Sequence, residues 1–307
     1  MNEFKENVLF GRKYRVIISD VNGVGIDVSE LRCTFQIEKS ISETPNYSEI
    51  VLYNLSAQTE NSIIKEGAKI ILEAGYQNQQ YGLIFSGDIV QPLRGKEDNT
   101  TYTLTLISQD GDLFYNKGII NASFRAGQTT RNILENMTKQ SSNALELGQI
   151  SDNLSQTALP RGKALFGLTR DYFRQIAKSE QAAFYINNNK IDFVKAMDLS
   201  TNEVIKLNGK SGLIGKPEQT EEGIQATCLL NPLLDLNKMV SVNLSSIQRQ
   251  KVDKENGVKN VEGSGIFKII KLTHKGDTMV YRVYSGRTVW SCSNNRRFYE
   301  IGEKYEH

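Results

Sequence analysis

Catalysis needs a positioned base, nucleophile or metal, and few residues of this chain belong to the types that supply one. Only two histidines occur. His307 ends the sequence, and His274 lies in Leu272-Thr-His-Lys-Gly-Asp277, which reads as part of a hairpin. A Ser-His-Asp or Cys-His arrangement would have to use His274 alone as its base. A histidine beside a turn more simply makes a local hydrogen bond. Metal-ligand spacings such as H-E-x-x-H do not occur.

Gly209-Lys210-Ser211-Gly212 ends like a phosphate-binding loop, but that motif needs a glycine five positions before Gly209, where Val204 stands. Its flanks are strand-like, and no amphipathic helix starts at Ser211. Carboxylates cluster at Asp110 with Asp112 and at Glu221 with Glu222. Adjacent residues on a strand point to opposite faces, so an extended Glu221–Glu222 pair cannot converge on one bond. Asp110-Gly111-Asp112 reads as a turn that also caps a helical turn; a calcium loop would need more ligands at alternate positions. Cys33, Cys228 and Cys292 lie far apart, without C-x-x-C spacing. They read as small buried hydrophobes of a protein made in a reducing cytoplasm, not as a disulfide framework or a zinc site. Tyr281, Arg282, Tyr284, Arg287, Trp290, Arg296, Arg297, Phe298 and Tyr299 interleave aromatic and basic types. That mixture can stack on single-stranded nucleic acid, but protein interfaces favour the same residues. Catalytic, cofactor-binding and metal-binding residues are all expected to be absent.

The bulk numbers agree with that expectation. The chain has 307 residues, 39% hydrophobic and 23% charged, as expected of a globular protein of two or three domains with a real core. Its 37 basic and 35 acidic residues leave a formal charge of +2, which gives no case for nucleic acid or an anionic membrane as main partner. The stretch from Gly265 to His307 is more basic, through Lys268, Lys271, Lys275, Arg282, Arg287, Arg296, Arg297 and Lys304. A solvated strand face or a contact with an acidic protein neighbour accounts for it. Met1–Tyr14 lacks an apolar signal core, and no run nears the roughly 18 apolar residues that span a bilayer.

The elements that would position these residues are mostly strands. Leu31, Cys33, Phe35 and Ile37 alternate with Arg32, Thr34, Gln36 and Glu38, the period-two signature of a strand with one buried face. Tyr14–Ser19, Ser48–Tyr53, Lys69–Ala74, Gly82–Pro92 and Thr101–Ser108 complete a first set, the last two as a long hairpin around Arg94–Thr100. A short helix interrupts it, with Ser56 as N-cap and Gly67 as C-cap. Helices are expected over Thr129–Gln140 and over Lys163–Lys178, where Leu165, Leu168, Tyr172, Phe173 and Ile176 recur at helical spacing. A loop-rich stretch, Ser141–Thr157, separates them. Ala183–Ile186 and Lys190–Val194 flank Asn187–Asn189, residues that tolerate a left-handed turn. Strands return over Gln225–Leu230, Met239–Leu244, Gly265–Thr273 and Met279–Trp290, with a charged loop, Gln248–Gly263, expected to be disordered when unbound. The layout of the first strand set repeats in the second, a weak internal duplication. In both, two strands are followed by a hairpin that opens with glycine, at Gly82 and at Gly265. The fold class is mainly β with an α+β insert: two β-barrels, over 1–115 and 205–307, around a small α/β middle domain at 116–204.

Pro45–Leu55, Ser56–Gly67 and Ala68–Tyr76 resemble the N-terminal barrel of phage baseplate hub proteins. Ile84–Val90, Ser108–Asp112, Leu159–Lys163, Gly212–Asn231 and Gly265–Thr278 continue the resemblance in the same order along the chain. Nothing family-like follows Trp290, so the role of Ser291–His307 stays open. The resemblance implies a structural virion protein, not an enzyme, similar to the gene product 27 type of hub of contractile-tailed phages. It implies two tube-type barrels per subunit and a homotrimeric ring in the tail baseplate that adapts a six-fold tail tube to a three-fold central spike, assembled in the host cytoplasm. Expected partners are further copies of the chain, the spike and the tail tube protein, with tape measure and baseplate wedge proteins beyond them. No specific nucleic-acid or membrane binding is implied. A tail-associated cell-wall hydrolase or a glycan-binding tail module is the alternative.

Overall fold

Alternation of apolar and polar residues drives the chain into strands wherever one face can be buried. In the computed structural model, which describes residues 11–77, 80–156, 158–195, 198, 204–219, 223–243, 252–253, 257–258, 264–278 and 287–293, strands dominate. The first set comprises β1 (Arg12–Ser19), β2 (Gly25–Asp27), β3 (Cys33–Ser40), β4 (Tyr47–Tyr53), β5 (Lys69–Tyr76), β6 (Tyr81–Lys96) and β7 (Tyr102–Gln109), with helix α1 (Ala57–Glu66) before β5. They pair antiparallel in the order β3-β4-β7-β6-β5-β1-β2. Ile37, Ile50, Leu52, Leu72, Phe85 and Leu106 form the centre of their core. The Ser56 hydroxyl accepts from the Thr59 amide at 3.1 Å and starts α1. Gly67 ends it at φ −65°, outside the left-handed region. Glycine is needed there for space, because a Cβ would lie 2.5 Å from the Ile63 carbonyl oxygen.

The middle of the chain holds α2 (Asp112–Lys117), β8 (Ile119–Phe124), α3 (Thr130–Gln140), β9 (Glu146–Ile150), β10 (Lys163–Leu168), α4 (Thr169–Glu180), β11 (Ala182–Asn187) and β12 (Lys190–Lys195). Two expectations are corrected here. Lys163–Leu168 is a strand paired with β8, and the helix starts only at Thr169. Leu165 is 2% exposed and Phe166 77%, an alternation that the three- and four-residue spacing of the leucines concealed. The loop-rich stretch contains β9, which pairs in parallel with β12. Phe114, Leu134, Met137, Phe173, Phe184 and Phe193 fill this region's core, with Phe173 stacked on Phe184 at 5.1 Å between ring centroids.

The last set comprises β13 (Val204–Leu207), β14 (Leu213–Gln219), β15 (Gly223–Leu229), β16 (Met239–Asn243), β17 (Val252–Asp253), β18 (Gly257–Val258), β19 (Ser264–Asp277) and β20 (Arg287–Ser293). Apart from the paired β17 and β18, the charged loop expected to be disordered lies outside the described residues, as do 279–286 of the last expected strand. The ladder β14-β15-β20-β19-β16-β13 buries Ile224, Cys228, Val240, Phe267, Ile269 and Leu272.

This ladder repeats the first. With the short β2, β17 and β18 set aside, its strands, taken by rank along the chain, stand in the same spatial order as β3-β4-β7-β6-β5-β1. The outermost pair differs: β1 runs antiparallel to β5, whereas β13 runs parallel to β16. The two ladders are continuous, because β19 pairs with β3 from Lys271–Ser40 to Asp277–Thr34. The result is a thirteen-stranded sheet, and no pairing among the described residues closes either ladder on itself.

Candidate functional site

Where the two ladders and the middle region meet, the chain buries a knot of polar side chains. Lys39 follows Cys33, Phe35 and Ile37 on the core face of β3, so its backbone register carries an ammonium into the interior. Its Nζ, on a side chain 1% exposed, donates to Asn187 Oδ1 (3.1 Å), Asn188 Oδ1 (3.0 Å) and Asp235 Oδ1 (3.3 Å). Asn187 Nδ2 donates to the other Asp235 oxygen at 3.0 Å. Burial alone would raise Asp235, but the Lys39 charge and the Asn187 amide hold it below the usual carboxylate range.

The tip of the β11–β12 hairpin is clamped from the other side. Asn188 and Asn189 adopt φ of +52° and +59°, and their amides both donate to the fully buried Asp110 at 2.5 Å. Asn46 Nδ2 donates to Asp110 (3.4 Å) and to the Ile186 carbonyl (2.7 Å). Asn189 accepts from the Gly111 amide and donates to Ser86 Oγ. Burial pushes Asp110 up to about 6 against these bonds and the Lys39 charge. Asp192, on β12, is pushed up to about 7 by burial, with Asp235 and Asp110 adding repulsion, while it accepts from the Gln149 amide at 2.6 Å.

The junction fastens three regions together. His274 is not at a turn as expected but inside β19, opposite Ile37 of β3 and 1% exposed. Burial first, and then the Lys39 charge, drive it down to about 3 against the pull of Asp235. It is therefore a neutral core imidazole near pH 7. Gly209–Ser211 forms a short 3-10 turn in which Asn208 and Ser211 bond each other, with no helix N-terminus behind it for a phosphate. Asp112 sits in the first turn of α2 as expected. The reading of Asp110 as a simple turn residue missed its role as hairpin anchor.

Cys33 and Cys228 are buried and not joined in a disulfide, and burial raises Cys33 to about 12. Lys268, expected on a solvated face, is 4% exposed; burial lowers it to about 8, and Nζ donates to the Asp198 carbonyl at 3.0 Å. Glu221, Glu222, His307 and most of the aromatic–basic tail lie outside the described residues, and Cys292 and Trp290 are seen only as members of the β20 ladder. Among the described residues no group of three His, Cys, Asp or Glu side chains could hold a metal. A groove of about 300 Å³ beside the far end of β6 is lined by Leu55, Ala57, Asn61, Arg94, Tyr102 and Leu104, with Glu60 as its one carboxylate. No helix among the described residues is long and apolar enough to cross a membrane.

Comparison with known proteins agrees with an architectural role. The 43 kDa tail protein of prophage MuSo2 from Shewanella oneidensis superposes with a TM-score of 0.58 at 9% identity, over 92% of this chain and 97% of that one. A tail protein of Neisseria meningitidis MC58 gives 0.53 at 10% identity, over 92% and 96%. The E. coli c3393 protein, a type VI secretion component described as similar in structure to the T4 tail proteins gp27 and gp5, gives 0.51 at 11% identity, over 85% and 73%. At such identities these likenesses establish the fold. No curated protein matches the sequence. The family model described as baseplate hub gp41 matches residues 20–262. The chain therefore belongs to the phage baseplate hub family, structural proteins of the virion tail.

Proposed function

We propose that three copies of this chain form a ring in the tail baseplate that joins a six-fold tail tube to a three-fold spike, without catalysing a reaction. The observation that carries this reading is the repeated ladder: with the short β2, β17 and β18 set aside, strands of equal rank hold equal places in the two sets. Two like units per chain, tripled about an axis, present six like positions on one side and three whole subunits on the other. Residues 1–115 and 205–307 act as the two tube-type units, each completed as a barrel in the assembly, and 116–204 as the α/β part between them. The polar junction holds these parts at a fixed angle, which a ring of defined diameter requires. A three-fold spike is one axial partner, and the tail tube is the other.

An obligate ring of this kind buries upward of roughly 2,000 Å² between subunits. Light scattering of the purified chain, with negative-stain images, tests the reading. The expected result is a three-subunit mass and a ring with a central channel. A monomer at all concentrations overturns it.

A further inference from the structure

The repeat extends to single hydrogen bonds. In the first ladder, Tyr81–Asp88 of β6 pairs with β5 and Asp88–Lys96 with β7; in the second, Ser264–Lys268 of β19 pairs with β16 and Lys268–Lys275 with β20. Each long strand breaks register once against its hairpin partner, between Ile89 and Gln91 in β6 and between Ile269 and Lys271 in β19. One residue before each break, an equivalent bond forms: the Ile89 amide to the Ala68 carbonyl (2.8 Å), the Ile269 amide to the Lys238 carbonyl (2.9 Å). Asp88 thus corresponds to Lys268, Val90 to Ile270 and Arg94 to His274.

The outward edges past these breaks differ. That of β19, Lys271–Asp277, is occupied by β3. That of β6, Gln91–Lys96, has no strand on it among the described residues. The Glu97 amide donates to Thr101 of its own hairpin, so by alternation Leu93 and Gly95 also face β7, while Pro92, Arg94 and Lys96 turn their backbone groups outward. Side chains record the vacancy: Ile270, under β3, is 7% exposed, whereas its counterpart Val90 is 48% exposed and nearby Leu93 41%. A second edge has no strand on it among the described residues. There β14 ends the sheet, paired only with β15, and it holds the place in the second ladder that β3 holds in the first.

We infer that the outward edge of β6 from Arg94 to Lys96 pairs antiparallel with β14 of a second copy of this chain, reproducing between subunits the β19–β3 seam within each. This inference rests on the proposed ring and specifies the contact that builds it. The register follows from the repeat. Tyr47 and Gly223 occupy equivalent places, through Gln109–Asp88 and Ser293–Lys268 respectively. Ser48 pairs with Ile37 and Ile224 with Gln219, which makes Gln219 the counterpart of Ile37. Since Ile37 faces His274, Gln219 faces Arg94, and Glu218 faces Gly95 beside Lys96; the Arg94 guanidinium itself is held by Glu60 and Asn61 of α1, each at 2.6 Å. Pro92 offers no outward donor, and neither does Pro217, which this register sets opposite Lys96, so the seam is confined to the short stretch between the two prolines and the edge resists indiscriminate extension. The contact is heterologous, head to tail, and each copy offers one such pair of edges, as ring closure requires.

The test is a cysteine pair, Arg94→Cys with Gln219→Cys, in the full chain, since facing strand residues lie within the range a disulfide spans. Gln36→Cys with Lys275→Cys, facing each other in the internal seam, is the control for oxidation. Mild oxidation is expected to link chains of the Arg94→Cys/Gln219→Cys protein to a three-chain product, and neither single variant to do so. A three-subunit mass without that link, while the control forms, overturns the seam and leaves the ring reading standing. A monomeric mass with no interchain link overturns both. Arg94→Pro deletes one outward donor, together with the side-chain bonds to Glu60 and Asn61, and leaves the bonds to β7 in place. It is expected to reduce the mass to one subunit that still unfolds cooperatively, close to the melting temperature of an Arg94→Ala protein, and an Arg94→Pro protein that still trimerises overturns the seam.

Discussion

Lys39 Nζ lies 3.3 Å from the Asp235 carboxylate, joining β3 of the first ladder to the turn before β16 of the second. The ammonium is almost wholly withdrawn from water, and removal of one partner strands the other. Lys39→Ala is expected to destabilise the chain by about 3 kcal/mol. The double variant Lys39→Leu with Asp235→Leu should regain only part of that loss, because packed apolar groups replace the pair at little cost while the Asn187 and Asn188 amides lose their partners. Urea denaturation of the three proteins checks both statements.

Asp192 gives the junction an alkaline weakness. Its folded pKa of about 7 lies above the ordinary value of 3.8, so between those values the unfolded chain ionises first and stability falls as pH rises. Asp110, at about 6, acts in the same direction. Asp192→Asn is expected to stabilise the protein at pH 8 by about 2 kcal/mol and to leave it unchanged at pH 4. Melting temperatures across that range would show the two curves converging in acid; parallel curves would contradict the assignment.

His274 works in the opposite sense. It is neutral in the fold down to about pH 3, whereas the unfolded imidazole takes a proton near 6.5. Its contribution is intact above 6.5 and is lost as pH falls towards 3, at up to about 1.4 kcal/mol per pH unit. In His274→Gln this part of the acid sensitivity should disappear, visible as a shallower fall of the melting temperature below pH 6.

Asn189 serves both backbone and side chain at the hairpin tip. Asn189→Gly keeps the positive φ but loses the bonds to Gly111 and Ser86; Asn189→Ala loses them and strains the turn as well. The alanine variant is expected to be the less stable by about 1 kcal/mol, with the glycine variant between it and the parent. Thermal denaturation orders the three.

Much of the ladder was legible because alternation survives wherever only one strand face is buried, as in Cys33–Glu38 and Tyr102–Ser108. The stop at Asn187–Asn189 was legible for a different reason, the tolerance of asparagine for left-handed backbone. Lys163–Leu168 was misread because Leu165, Leu168 and Tyr172 happen to fall at helical intervals across a strand–helix boundary. The junction was not read at all, although Lys39 continues the apolar series of Cys33, Phe35 and Ile37 at the next alternate position. A cation in register with a core face implies a buried counter-charge. Nothing local identifies Asp235, which is 196 residues away in sequence. The repeat was visible only as a similar layout; the matching bulges became evident once the strand partners were known.

The β3–β19 seam has a mechanical consequence. Seven residue pairs of backbone ladder, from Lys271–Ser40 to Asp277–Thr34, stitch the halves of the chain edge to edge. A hinge between the halves would have to unzip that stitching, with the Lys39 side chain pulled out of its buried contacts. Torque applied to one half therefore reaches the other as through a single stiff plate.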